Sequence, residues 1–369
     1  GPAPQVLGQP THPYTAGLIA SIPSRNRRGA DLRQIPGMTP SILNLPQGCA
    51  FRPRCAYATD APKTLPGIAK GRGNSTWEHP KKSYTLKLDT KTTFLDMSES
   101  RDWALVSNYE DKTLLRNHLA EYLSEGVGLD YTPQMRPVDL WYNGVYHGTY
   151  NLVEKIEVEK DRVNITKFDP LLPVGEVGYL IEFDSHVNEG PGRYERRPFG
   201  PGYYNPVTRE VFFQIDIGGK WATIVEPSYK DLTLDHVYYI YNKIKQATDA
   251  LKSGNYQWIS QFIDVRSFSK WYLVEEFMNN TDASMHSSVY MTLDVGGKFT
   301  LGPIWDFDRS SGNCDYWNPQ EDPDSLYKSG AGWFHLLYQT PEARAILKQE
   351  WNKFYHVVQD LDPVIDSMA

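Results

Sequence analysis

At 369 residues the chain has room for two or three domains, and 40% hydrophobic with 22% charged residues is ordinary for a soluble globular protein. No run approaches the roughly 18 apolar residues of a membrane span, and three cysteines, Cys49, Cys55 and Cys314, are too few and too odd in number for a disulfide framework. The net charge of −7 is unevenly divided, with six Arg against Asp31 and Asp60 in residues 1–60 and 32 basic against 43 acidic residues in the remainder, which suggests two pieces of different origin and leaves no basic stripe for nucleic acid.

Residues 1–60 are rich in Pro and Gly, with one stretch of helical promise, Pro13 to Ile22. Cys49 and Cys55 read as a bridge, part of a metal site or free thiols, and Cys314 as a lone thiol. No G-x-x-x-x-G-K-[ST] loop occurs anywhere, which excludes an ATPase of the P-loop type. At Gly71 the character changes. GRGNSTWEHPKKSYTLKLD predicts a Gly-containing turn and then a strand, Ser83 to Leu88, with Tyr84, Leu86 and Leu88 on one face. Arg72, Lys82 and Lys87 surround it. Lysine is common on solvated strand edges, and a Gly turn beside a strand Lys is also how kinases cover and pair ATP phosphates.

A helix follows over Asp111 to Leu123, with Leu114, Leu115, Leu119 and Leu123 near helical spacing, Asn108 or Asp111 as its cap and Gly126 at its end. Arg116 lies within it, a surface charge or the partner of a carboxylate or phosphate. Met135 to Glu157 predicts a hairpin about Asn143-Gly144, a strong turn signal, and it ends at Glu154-Lys155. The order to this point is strand, helix, two antiparallel strands. Gly178 to Asp184 is a buried strand ending in carboxylates, 185–210 a polar insertion loop, and Val211 to Val225 a β pair around Gly218-Gly219. Leu234 to Leu251 and Tyr272 to Met278 are helical, the latter starting at Asp264 to Ser269.

Asn279 to Asp308 predicts a second hairpin, Ser288 to Asp294 and Phe299 to Ile304 about Gly296-Gly297. With the turn near Gly296, Ile304 faces Ser288 and Asp306 lies roughly opposite His286, one short loop from Asp282. Two carboxylates at one end of a hairpin suit phosphoryl transfer, one orienting a hydroxyl and one holding Mg²⁺. An Asp after a Thr or beside an aromatic is also a common turn or cap residue. Residues 315–332 read as loop, then Trp333 to Leu337 and Pro341 to Val357 as helices, with a pattern that stops midway.

Two resemblances organise these elements. HPYTAGLIASIPSRNRRGADLRQIPGMTPSILNLPQGCAFRPRC resembles the C-terminal tail of oligopeptide/dipeptide ABC transporter ATPases, whose cysteines can form a small metal or iron–sulfur site; residues 1–62 form that tail-like segment and 63–369 a second domain. RGNSTW, KKSYTLKL, NYEDKTLLRN, VDLWYNGVYHGTYNLVEKI, GYLIEFD, NNTDASMHSSVY and GPIWDFDRSSGN, in this order from Gly71 to about Asp366, resemble the spore-coat-protein-H-like (CotH) kinase family. That resemblance implies an α+β, atypical protein-kinase-like two-lobe fold, with an antiparallel-sheet N-lobe about 71–157 and a mixed helical C-lobe about 158–369, and leaves room for truncation at both ends. It implies ATP with Mg²⁺ or Mn²⁺, transfer to Ser or Thr hydroxyls of protein substrates, and an extracytoplasmic, cell-surface or spore-coat setting, with no nucleic acid and no membrane span.

Carried over residue by residue, Asp282 is the catalytic aspartate, Asp306 the metal-binding one and Asp308 an alternative or second ligand. Lys82 is the first choice for phosphate contact and Lys87 the second. Arg72 and Asn74 belong to the nucleotide-facing turn, Arg116 to the helix beside the cleft, and Glu154 marks the hinge side. Ser287 stands where the family's better-known members carry a metal-binding Asn, which points to a one-metal or weakened site. The alternative on the same fold is a non-catalytic coat or cell-surface scaffold or adhesion protein, favoured by Ser287, by the aromatic content and by the missing strands before Gly71.

Overall fold

Alternating apolar and polar residues build two antiparallel sheets. The computed structural model describes residues 64–73, 75–184, 194–215, 220–280, 283, 285–313, 326 and 332–368. The expected helix at Pro13, the two early cysteines, Asn74, Gly218-Gly219, Asp282 and Cys314 lie outside the described residues. The first sheet has five strands, β1 (Gly67–Arg72), β2 (Ser83–Thr92), β3 (Ser100–Val106), β4 (Met135–Tyr142) and β5 (Val145–Glu154), in the order β1-β2-β3-β5-β4. Between β3 and β4 runs helix α1 (Arg116–Val127).

Register sorts the first sheet's two faces. Tyr84 pairs with Leu105 and Leu86 with Trp103, and these with Tyr150 and Leu152 form one apolar face. Phe94 and Met97, just after β2, close over it; Phe94 meets Trp103 edge-on at 5.1 Å. Trp103 is wholly buried, a position where truncation to Ala costs about 3–5 kcal/mol. The opposite face carries Arg72, Thr85, Lys87, Asp102, Ala104 and Val153, since Arg72 pairs with Ser83, Lys87 with Asp102 and Ala104 with Val153. In the β4–β5 turn, Asn143 (φ 49°) and Gly144 (φ 79°) are both left-handed, as a two-residue hairpin of this twist requires.

The second sheet has seven strands, β6 (Tyr179–Phe183), β7 (Arg197–Phe199), β8 (Gly202–Asn205), β9 (Glu210–Gln214), β10 (Trp221–Glu226), β11 (Val289–Leu293) and β12 (Phe299–Leu301), in the order β12-β11-β6-β10-β9-β8-β7. Tyr179, Ile181, Phe183, Ala222, Ile224 and Met291 turn one face into the main core. Helices α2 (Leu234–Ser253), α3 (Tyr256–Phe262) and α4 (Val265–Phe277) pack there, with α5 (Gly332–Leu337), α6 (Pro341–Val358) and α7 (Asp362–Met368) following in sequence. Asp264 caps α4 by accepting the N–H groups of Arg266 and Ser267. The other face presents Glu182, Thr223 and Tyr290, which lie in register. No described helix is long and apolar enough to cross a membrane.

The fold is α+β, with differences of detail from expectation. Strand β1 takes in the expected turn at Gly71 and supplies a strand before it where strands were expected to be missing, and β3 forms in a stretch for which no element was expected. GIAKGR has two glycines and an exposed edge, and in SRDWALV the charges of Arg101 and Asp102 mask the alternation. Helix α1 begins at Arg116, five residues late, because the Asp111 carboxylate takes the N–H groups of Thr113 and Arg116 and holds the preceding turn outside the helix. Gly126 lies inside α1, and Gly128 (φ 74°) ends it. The second half of the expected 185–210 loop is the β7–β8 hairpin.

Candidate functional site

The hairpin β11–β12 has the expected register, Met291 opposite Leu301 and Leu293 opposite Phe299. Its ladder ends with Gly302 N–H to the Tyr290 carbonyl (2.8 Å), because Pro303 has no N–H to continue it. The chain then leaves the ladder, so strand pairing does not itself hold Asp306 opposite His286. Asp306 stands exposed at φ 68°, with its Oδ2 accepting from Ser288 Oγ at 3.4 Å and its carbonyl oxygen 3.4 Å from Asn280 Nδ2. Asp306 also lines a largely apolar cavity with Val106, Asn117, Met135, Val153 and Trp305.

Helix α1 and the turn before it grip the loop that follows. Asn117 Oδ1 accepts from Phe307 N–H (2.9 Å), and Arg116 Nε donates to the Ser310 carbonyl (2.9 Å). Arg116 is itself fixed by the fully buried Asp111 at 2.6 Å. Glu110 receives both Nε and Nη2 of Arg309, while Asn313 Nδ2 donates to the Glu110 carbonyl (3.2 Å) and the Asp308 carbonyl (2.6 Å). The Arg309 hydrogen bonds hold the Glu110 carboxyl below its usual range despite partial burial.

Facing this loop is the polar face of the first sheet. The Arg72 guanidinium lies over the Trp305 ring, 5.2 Å from its centroid, with Nη1 closed off from solvent and without a hydrogen-bond partner. Lys155, one residue past β5, is held below the usual lysine range by burial, with Asp102 opposing and Arg72 and Lys87 adding to the shift. Among the described residues, none of Arg72, Lys87 and Lys155 has an ion-pair partner. Lys87 is exposed, whereas Arg72 and Lys155 are partly withdrawn from water, with Asp102 and Glu157 only partly offsetting the cost to Lys155; a surface with this excess of positive charge suits an anion.

Next to this region lies the polar face of the second sheet, which carries Glu182, Thr223 and Tyr290. Tyr290 donates its hydroxyl to Glu182 Oε1 at 2.8 Å. Burial, helped by Asp184, pushes the Glu182 carboxyl up to about 8, with the Tyr290 hydrogen bond and then Arg72 opposing. The folded chain therefore binds this proton more tightly than the unfolded one, whose carboxyl titrates near 4.5. Its stabilisation is complete below pH 4.5 and fades as pH rises through about 8. Glu182→Gln is expected to flatten the fall of the urea midpoint across that interval. An unchanged slope in the variant would assign it to other groups.

Several expected site residues have other engagements. Lys82 shares the parity of Tyr84 and Leu86, so it belongs to the side away from Lys87; its ammonium binds the Trp77 carbonyl and lies over the Trp77 ring. Glu154 is buried and accepts from Ser98 N–H (2.7 Å), Tyr131 Oη (3.0 Å) and Gln134 N–H (3.1 Å), which makes it a fastener between segments. Arg116 is committed to Asp111 and Ser310, so the carboxylate it fixes belongs to the chain itself. Asp308 and Ser287 are half-buried and lie on the segments flanking Asp306 and Ser288. Arg72 and Lys87 are placed together. Lys155, Glu110, Arg309 and Glu182 were not singled out from sequence; parity with Val153 offered a signal for Lys155 alone.

A family model described as CotH kinase protein matches residues 69–363. A second, described as oligopeptide/dipeptide transporter, C-terminal region, matches residues 1–61. The N-terminal segment is similar to a putative peptide import ATP-binding protein of Brucella ovis, 49% identical over 67 residues, covering 16% of this chain and 20% of the relative. It is also similar to the oligopeptide transport ATP-binding protein OppD of Salmonella typhimurium, 42% identical over 68 residues (18% and 20%). The dipeptide transport ATP-binding protein DppD of Caldanaerobacter subterraneus is 50% identical over 56 residues (15% and 17%). The chain spans about a fifth of the length of these relatives.

Proposed function

The chain belongs to the CotH kinase protein family over residues 69–363, and on that premise we propose that it is an atypical two-lobed protein kinase that moves the ATP γ-phosphoryl group to Ser or Thr hydroxyls of a protein substrate outside the cytoplasm. The observation that carries this reading is the set of cations without a close ion-pair partner among the described residues, Arg72, Lys87 and Lys155, opposite the Asp306 loop. An orphaned guanidinium N–H and a buried ammonium fit the phosphates of a nucleotide better than any neutral ligand.

Asp306, Asp308 and Ser287 supply oxygen donors, the set that suits Mg²⁺ or Mn²⁺. A divalent cation bound there would offset charge on the transferring phosphates. The chain's own contribution is positional. Asn117 and Arg116 hold the loop backbone, Arg72 and Lys155 receive phosphate oxygens, and Asp282 orients the acceptor hydroxyl and takes its proton. Nucleotide binding is assigned to this domain and not to residues 1–61, which carry no phosphate loop.

Thermal melting with Mg-ATP tests the reading. A specific site raises stability with ligand concentration, by about 2.7 kcal/mol at a hundredfold excess over Kd. Adenosine, lacking the phosphates, is expected to give far less. An identical melting curve at every nucleotide concentration up to solubility would favour the scaffold alternative instead.

A further inference from the structure

We infer that Glu110 is a positioning residue that clasps two segments of the site together, holding the metal-side loop through Arg309 and the turn that follows Arg72 through His79; the inference rests on the kinase reading above. On one side, the Glu110 carboxylate receives the forked guanidinium of Arg309, inside the loop that begins at Asp306. Paired N–H donors on one carboxylate fix direction as well as distance. On the other side, His79 Nε2 lies 3.1 Å from Glu110 Oε1, and its ring lies tilted against Tyr109, with centroids 5.0 Å apart.

His79 directly follows the 3₁₀ turn Ser75–Glu78, which extends the glycine turn after Arg72. One carboxylate thus touches the segment that carries Arg72 and the segment that carries Asp306 and Asp308. Both contacts are partly shielded, with Glu110 and His79 about one-fifth exposed. Shielded pairs of this kind are screened less by salt than surface pairs. Loss of Glu110 therefore loosens the loop and the turn after Arg72 together, whereas loss of His79 frees that turn alone.

Glu110→Gln, Arg309→Gln, the double variant and His79→Asn separate these roles. Amide hydrogen exchange over residues 307–313 is expected to quicken about tenfold in either single variant and no further in the double, because the two act through one another. His79→Asn is expected to leave that exchange unchanged while raising KM for ATP. The Mn²⁺ concentration for half-maximal phosphoryl transfer is expected to rise about tenfold in Glu110→Gln, with kcat at saturating Mn²⁺ within about threefold of wild type.

Unchanged exchange in Glu110→Gln, or additive effects in the double variant, would overturn the clasp. Arg309→Lys keeps the charge and loses the fork, so it serves if Glu110→Gln does not fold; unaltered exchange there overturns the clasp equally. If the wild-type chain neither binds Mn-ATP nor transfers phosphate, the kinase reading fails, and the exchange measurements still decide the clasp by themselves.

Discussion

Asp306→Asn is expected to lower phosphoryl transfer by on the order of 10²–10³-fold while leaving the melting temperature nearly unchanged. The choice of asparagine follows from the backbone. Asp306 sits at φ 68°, a left-handed conformation that Asn tolerates and Ala does not. The side-chain amide keeps the size of the carboxylate and can still accept from Ser288 Oγ. What it removes is the negative charge that a divalent cation needs beside a polyphosphate. Asp306→Ala would mix that loss with backbone strain, so a drop in its activity would carry less meaning. The measurement is ³²P incorporation into the chain itself or a generic Ser/Thr acceptor, with hydrogen exchange showing that the loop is intact. Equal incorporation by wild type and variant would remove Asp306 from the metal role.

Much of the fold was legible because its strands obey simple alternation. Tyr84, Leu86 and Leu88 announce the apolar face of β2, Asn143-Gly144 announces its hairpin, and the register about Gly296 follows from turn length. The same alternation already separates Lys82 from Lys87. Lys82 shares its parity with the apolar residues and Lys87 does not, so the cleft-facing lysine could have been chosen by counting. The rest depended on partners remote in sequence. Glu110 and Arg309 are 199 positions apart, and no local pattern in either motif says that one holds the other. Glu154 looks like a hinge carboxylate until three donors from Ser98, Tyr131 and Gln134 are found converging on it. Helix α1 starts late for a related reason, since a buried Asp111 outcompetes the helix for its first N–H groups.

Lys155→Met separates binding from stability more sharply than any other change at the site. Burial holds this ammonium below the usual lysine range, and among the described residues no carboxylate forms an ion pair with it, Asp102 and Glu157 only partly opposing the shift. In the unliganded fold it is therefore a liability near neutral pH. A depressed folded value means that stability is greatest at pH above the unfolded value of 10.5 and is lost as pH falls through the folded one. Methionine keeps the stem and discards the charge, so the variant is expected to melt at a higher temperature than wild type. The same change takes away a desolvated partner for phosphate oxygens, and Mg-ATP affinity is expected to fall by about 10²-fold, the equivalent of 2–3 kcal/mol for a hydrogen bond to a charged group. Lys82→Met, on the opposite side of the sheet, is expected to leave affinity within about twofold of wild type. Lys87→Met should lie between the two, because its exposed ammonium is screened by water. Calorimetric titration of Mg-ATP against each variant, paired with melting curves without nucleotide, gives both axes. A Lys155→Met protein that is more stable and binds as tightly as wild type would show that its charge serves neither the fold nor the phosphates, and the anion reading of this surface would fall with it.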